Sequence, residues 1–437
     1  MLDLSEMSCP DLIKMSLRSS NHFLRLFQKG SIIAGNILDH YDMALYTLLA
    51  PFLAPLFFPS SDPFVQLMMA YGLLSTSILT RPIGHLFWGY RAFKNGGRRT
   101  LLELLMGVMI TTGLIGFLPT YDQIGIMAPI ALGMLRALQS FFAAAESTIA
   151  SRYLFELNQG ASVRWSSLFE LSTIIGIALA SLGMNGLTQW GRPTDHWRLM
   201  FWGAFLTGAI IWGIRYWIPA QPTTHQSTVQ MRKSWITFRK EAQGQSRRSF
   251  LQLLGIGALS HLTYAIPFIL MNGLIPLFTS ISSDSLLKWN TILLGWDGIL
   301  LLIFSSYPLP RPIMKISSLC LAIIAVPLFW WMGNHPTEVT ILLGRWVIVT
   351  LGVVFAVPLR AWAFQLIPSP VGYPITSILS GLTSEILGRS SPVICLILFK
   401  YFGQMVGVGV YLSVVSLCAF WAVNGRWNGG DHDSKPA

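Results

Sequence analysis

The sequence predicts an all-α polytopic membrane protein with about twelve transmembrane helices in two six-helix bundles. Three observations predict it. Of 437 residues, 53% are hydrophobic and only 11% charged, and the mean hydropathy is +0.55, whereas charged residues make up roughly a quarter of an ordinary soluble domain. Apolar runs long enough to cross a hydrocarbon core, about 20 residues each, recur along the whole chain. The Lys and Arg residues fall between those runs, mostly on alternate sides. The net charge of +11 is therefore read as a positive-inside bias rather than as a nucleic-acid surface.

Residues 1–30 carry Lys14, Arg18, Arg25 and Lys29 among Leu, Ile and Phe. No apolar stretch there ends in a cleavage-like site, so the segment reads as cytoplasmic rather than as a signal peptide. Over 11–28 a short amphipathic interfacial helix and a plain tail are equal readings. A first bundle, 31–218, holds apolar runs at about 31–57, 64–90, 100–118, 126–151, 165–189 and 197–218. A basic linker, 219–249, follows, with Arg232, Lys233, Arg239, Lys240, Arg247 and Arg248. The second bundle, 250–424, has runs at about 250–280, 288–307, 313–333, 338–366, 372–399 and 402–424, the last two open to merging. A tail, 425–437, closes the chain. The basic residues place both termini and the linker in the cytoplasm. Four cysteines, Cys9, Cys320, Cys395 and Cys418, are scattered without metal-ligand spacing, and no metal or cofactor is expected.

Ionisable groups inside a span are costly, which makes each a functional candidate. Span 1 reads GNILDHYDMALY and puts Asp39, Asp42 and Tyr46 on one helical face. Asp39 lies about 12 Å from the inner end at ~1.5 Å per residue, near mid-membrane. Two carboxylates this close in a low dielectric repel, which favours one of them holding a proton. Permanent pairing of both with arginine is the structural alternative. Span 4, LRALQSFFAAAES, supplies a partner face with Arg136, Gln139 and Glu146. Arg136 can hold a substrate carboxylate through its fork, or pair with Asp39 or Asp42 when no substrate is bound. His261 and Tyr264 share a face of span 7, and Arg345 lies a third of the way into span 10. Asp297 is near the middle of span 8, while Glu385 and Arg389, four apart in span 11, can neutralise each other. Pro51, Pro55, Pro267, Pro276, Pro358 and Pro392 are expected to bend or interrupt helices, and Gly176, Ala180 and Gly183 to permit close packing.

Several segments together resemble the metabolite:proton symporter family of the major facilitator superfamily, which includes proline/betaine, 2-oxoglutarate, citrate and shikimate transporters. Span 1 is similar to the family's G-N-x-x-E/D-W-Y-D-F-x-x-Y, and RPIGHLFWG matches R-P-x-G-x-x-x-x-G at Arg81, Pro82, Gly84 and Gly89. The loop LPTYDQIGIMAPI, the span 4 pattern at Arg136, Gln139 and Glu146, and DHWRLMFWGAFL follow in the family's order. The second half matches thinly, at Pro358 and QLIP 365–368, with Gln365 in place of an acid.

The resemblance implies a major facilitator fold, spans 1, 4, 7 and 10 around a cavity, alternating access and proton-driven import. With the polarity of the spans, it makes Asp39, Asp42 and Glu146 proton-coupling candidates and Arg136, Gln139 and Tyr46 substrate-binding candidates, to which the residues alone add Tyr264, His261 and Arg345. Gating candidates are Arg81, Lys94, Gly96, Arg98 and Arg99, with Glu156 and Arg164 beyond the inner ends of spans 4 and 5. Departures concentrate at the cytoplasmic face. RAFKNGGRR puts Phe93 where the superfamily's inner loop has an acid, PLPRPIMK lacks the repeat of that motif, and Pro370 and Gly372 replace usual arginines. The expected protein is a monomeric, non-enzymatic symporter of a small anionic or zwitterionic metabolite in a bacterial inner membrane, with a proton and the lipid bilayer as its other partners. Uncoupled facilitation or exchange, and a transporter-like sensor, are the alternatives.

Overall fold

A computed structural model describes residues 9–58, 63–158, 163–190, 193–217, 247–271, 274–275, 279–281, 283–305, 310–366, 372–402 and 405–424. Most of the basic linker and the whole C-terminal tail lie outside these, as do Pro276 and Pro370. The side chains of Glu385 and Arg389 are likewise outside them. In lipid every backbone N–H and C=O must be satisfied within the segment, so the apolar runs become helices. Those of the first half are α1 (Cys9–Phe57), α2 (Pro63–Asn95), α3 (Gly97–Phe117), α4 (Met127–Ala143), α5 (Glu146–Leu157), α6 (Val163–Trp190) and α7 (Pro193–Trp217). Those of the second half are α8 (Arg247–Ala265), α9 (Ser283–Phe304), α10 (Pro310–Asn334), α11 (Glu338–Ala356), α12 (Leu359–Leu366), α13 (Gly372–Ser380), α14 (Arg389–Phe402) and α15 (Val406–Asn424). Among the described residues, eight stretches are long and apolar enough to cross a membrane, and shorter apolar helices accompany them. The protein is an integral membrane protein.

Two details differ from the linear reading, and a third, the break at Pro358, agrees with it. Residues 11–28 form neither a separate interfacial helix nor a plain tail, because α1 runs unbroken from Cys9 to Phe57. The fourth apolar run is two helices, α4 and α5, parted where Ala145 leaves helical geometry at φ −104°, ψ 1°. The tenth divides at Val357–Pro358 into α11 and α12, since proline brings no N–H to the ladder. Pro267 lies in a π-helical continuation of α8, Ile266–Leu270, and a second π stretch, Gly381–Gly388, joins α13 to α14. The eleventh and twelfth runs stay separate, as α13–α14 and α15.

The helices form two compact units. The first comprises residues 1–161, 169–230 and 367–378; the second comprises 162–168, 231–366 and 379–437. Within the first, Leu45, Leu49, Leu53 and Phe57 of α1 build a core with Leu132 of α4 and Trp197 and Phe201 of α7. The Trp197 ring meets Phe57 edge-on at 5.6 Å and Phe201 at 5.8 Å, which accounts for the tryptophan and phenylalanine of DHWRLMF. Arg198 beside them lies 4.6 Å over the Trp197 ring and donates to the Leu118 carbonyl. At Gly176, α6 approaches α1 so closely that a side chain would strike the Ile37 carbonyl and the His40 Cβ. In the second unit, Trp296 of α9 donates its indole N–H to Thr350 of α11 at 2.9 Å. A reciprocal capping pair, Thr337 with Thr340, starts α11.

Candidate functional site

The first unit carries a ladder of polar side chains along one face of α1, which a core of leucines alone would not tolerate in a membrane. At its top, the Tyr46 ring is fully buried and its hydroxyl donates to the Ala70 carbonyl at 3.0 Å. The Arg136 guanidinium of α4 stacks over that ring, 4.1 Å from its centroid. One turn down, Asp42 accepts from the Thr112 hydroxyl of α3 at 3.0 Å and from the Gln139 amide of α4. Gln139 accepts in turn from Arg136, and its amide nitrogen also reaches Thr112 at 2.7 Å. A neutral amide therefore links the arginine to the carboxylate, where the sequence suggested a direct ion pair. All four groups are buried.

Asp39 follows one turn below, buried, with His40 Nδ1 4.0 Å from its carboxylate. Its charge acts on both Asp42 and Glu146. Asn36 anchors this part of α1 to α6, donating to Ser172 at 2.7 Å, to Thr173 and to the Phe169 carbonyl. Glu146 then forms a buried ion pair with Arg215 of α7, at 3.0 Å. Arg215 is absent from the sequence-level candidates because it falls at the end of its apolar run, where an arginine normally reaches water. Its side chain instead turns inward, donates to the Ser31 and Ile32 carbonyls, and fills the space beside Gly35. A Cβ at position 35 would force that guanidinium to shift away from its partners. The ladder ends in a small recess lined by Gln28, Ser31, Arg98, Tyr153 and Arg215.

Breaking a buried pair by removing one partner strands the other charge, at a cost of about 3–5 kcal/mol. Arg215→Met is accordingly expected to lower the melting temperature of the purified protein sharply. Adding Glu146→Gln should recover most of the loss. A single variant that melts like the parent would show the pair to be dispensable.

The gating candidates separate. Arg81 is buried in α2 and donates to the Met43 sulfur at 3.0 Å, beside Asp42, so it stands with the ladder and not with the loop between α2 and α3. Arg98 caps the end of α7 through the Arg215 and Tyr216 carbonyls. Arg99 and Arg91 converge on Glu103, an acid the sequence reading overlooks. Lys94 and Arg164 are exposed, and Gly96 turns the chain at φ 86°. Glu156 of α5 accepts a 2.6 Å hydrogen bond from Tyr373, whose ring lies 5.5 Å from the Arg152 guanidinium and whose hydroxyl rests against Gly97. Tyr373 belongs to the first unit through segment 367–378. No sequence signal marks it, since it follows an unremarkable proline- and glycine-containing stretch of sequence.

In the second unit, His261 of α8 lies against Gly388, and Tyr264 stacks on Phe268 at 5.0 Å while remaining 41% exposed. Asp297 of α9 is near enough to act electrostatically on Tyr264. Arg345 is completely buried in α11 and donates to Asn290 of α9. Among the described residues, no three His, Cys, Asp or Glu side chains gather as metal ligands.

Comparison with known proteins agrees with this architecture. No family model matches the chain. It is 26% identical over 324 residues to a proline/betaine transporter of Escherichia coli, covering 69% of this chain and 63% of the relative, so the match spans less than two thirds of that protein. It is 26% identical over 407 residues to a citrate-proton symporter of Klebsiella pneumoniae, covering 90% of this chain and 89% of the relative. An alpha-ketoglutarate permease of Escherichia coli is 26% identical over 253 residues, 57% of each protein. Among solved structures, the proton:xylose symporter XylE superposes with a TM-score of 0.72 at 14% identity, covering 92% of this chain and 95% of that one. The human organic anion transporter MFSD10 gives 0.66 at 14% identity, covering 92% and 99%. The chain has the major facilitator superfamily fold, and its relatives are proline/betaine, citrate and alpha-ketoglutarate transporters.

Proposed function

We propose that this protein is a proton-coupled symporter that imports a small anionic or zwitterionic metabolite across a bacterial inner membrane, with both termini cytoplasmic. The observation that carries the reading is the chain of hydrogen bonds Arg136 to Gln139 to Asp42 in the first unit. A substrate carboxylate takes the Arg136 fork, because a charge-assisted bidentate pair outweighs a bond to a neutral amide. Gln139 then turns, and Asp42 loses the donor that held its charged form. A carboxylate deprived of donors in a low-dielectric site favours its protonated state. Substrate and proton thus occupy the unit together, and Asp39 and Glu146 continue the carboxylate series toward the cytoplasmic end of α1. The names of the citrate-proton and proton:xylose symporters support the coupling, as the other relatives' names support a small polar substrate.

Reconstituted vesicles test this. Uptake of citrate, 2-oxoglutarate, glycine betaine or proline should rise under an inward proton gradient and collapse with a protonophore. Uptake indifferent to both would leave a facilitator or exchanger, and binding without flux would leave a sensor.

The cytoplasmic closure is assigned to Tyr373, compensating for Phe93 in the acidic position of the inner-loop motif. Its hydroxyl grips Glu156 without needing a second charge. Loss of a hydrogen bond to a charged group shifts a two-state equilibrium about tenfold. Tyr373→Phe should therefore raise KM for external substrate about tenfold with kcat little changed, in initial-rate uptake. An unchanged KM would remove Tyr373 from the gate.

A further inference from the structure

Arg345 is among the largest fully buried side chains of the protein, at 0% exposure. It lies within the apolar stretch Glu338–Phe364, which is long enough to span a membrane. Its Nη2 donates to the Asn290 side-chain oxygen across α9 and α11. Among the described residues, Nε and Nη1 have no acceptor and no carboxylate pairs with the guanidinium. Among the described residues its neighbours are neutral. Met332 packs against the adjacent Gly344, and Trp346 lies 5.3 Å from Trp296, whose N–H is committed to Thr350.

A buried cation held by one amide oxygen is a poor structural element, since an isolated charge in a membrane interior is strongly unfavourable. The guanidinium is a planar fork with two edges, each presenting two parallel N–H groups. Asn290 takes one Nη2 hydrogen. Whichever edge that uses, the other keeps its pair of donors for a bidentate carboxylate.

We propose that Arg345 and Asn290 form a carboxylate-binding site in the second unit, and that the transported metabolite is a di- or tricarboxylate rather than a zwitterion. The class follows from charge: a zwitterion is neutral and leaves the buried cation uncompensated, whereas an anion carrying two or three carboxylates neutralises it. The substrate half of this inference rests on the symporter reading; the site itself does not.

The experiment is a thermal-shift titration of purified wild-type, Arg345→Gln and Arg345→Lys protein with citrate, 2-oxoglutarate, glycine betaine and proline. Citrate or 2-oxoglutarate should raise the wild-type melting temperature, with no shift from betaine or proline. Both variants should lose at least tenfold in apparent affinity for the carboxylates, the lysine because it lacks the fork. Without ligand, Arg345→Gln should melt at or above the wild-type temperature, because it removes an uncompensated charge; if it does not fold, Arg345→Lys decides the affinity. Undiminished carboxylate affinity in a folded variant overturns the site. A wild-type shift with betaine or proline alone, or with none of the four, overturns the substrate class. Either failure leaves symport open, because coupling is read separately from proton-dependent flux.

Discussion

Asp42→Asn is expected to abolish uphill uptake while sparing exchange. The amide keeps the shape of the carboxylate and can still accept from Thr112, at 3.0 Å in the parent. It cannot take up or release a proton. With an amide at position 42 mimicking the protonated carboxylate, substrate should bind and cross in both directions, so counterflow in equilibrated vesicles should proceed at close to the wild-type rate. Accumulation driven by an imposed proton gradient should fall to the level of empty vesicles. The parallel variant Asp39→Asn separates the two carboxylates. Asp42, not Asp39, receives the Gln139 amide that joins it to Arg136, so the loss of accumulation should be deeper at Asp42. Uphill uptake surviving in Asp42→Asn would move the proton site to another carboxylate, Asp39 or Glu146.

The second large effect is expected at Arg136. Arg136→Lys retains a positive charge but loses the planar fork, the stacking on Tyr46 and the fixed bond to Gln139. A stacked cation contributes about 0.5–2 kcal/mol, and the second hydrogen bond of the fork to a substrate carboxylate, which lysine cannot supply, about 1.5–3 kcal/mol. Their loss together corresponds to roughly a hundredfold weaker substrate binding, measurable by titration of the purified protein. Tyr46→Phe is the control, since it keeps the ring under Arg136 and removes only the bond to the Ala70 carbonyl. It should bind nearly as well as the parent. Equal losses in the two variants would mean that the hydroxyl, and not the cation, organises the site.

Much of this was legible in the sequence because membrane burial makes polar residues conspicuous. Asp42, Tyr46, Arg136 and Gln139 share helical faces at spacings of three or four, and the folded protein brings them into one network. Two kinds of residue stayed hidden. Arg215 and Tyr373 lie at the ends of apolar runs, where arginine and tyrosine are ordinary interfacial residues, so only tertiary structure shows that both turn inward. The helix break at Ala144–Ala145 was equally silent, because alanine is the best helix former and nothing local predicts its departure from helical geometry. Arg81, a gating candidate from the span 2 motif, is buried in α2 and donates to the Met43 sulfur, a neighbour that the motif does not name.

The Arg215 side chain over Gly35 also limits how this sequence can drift. Because the guanidinium occupies the space of a Cβ, a larger residue at 35 expels Arg215 and strands Glu146. The three positions are therefore expected to change as a set. Across descendants of this chain, glycine at 35 should be lost only where 215 and 146 have together become uncharged, a covariation that no pair of these residues would show by adjacency in sequence.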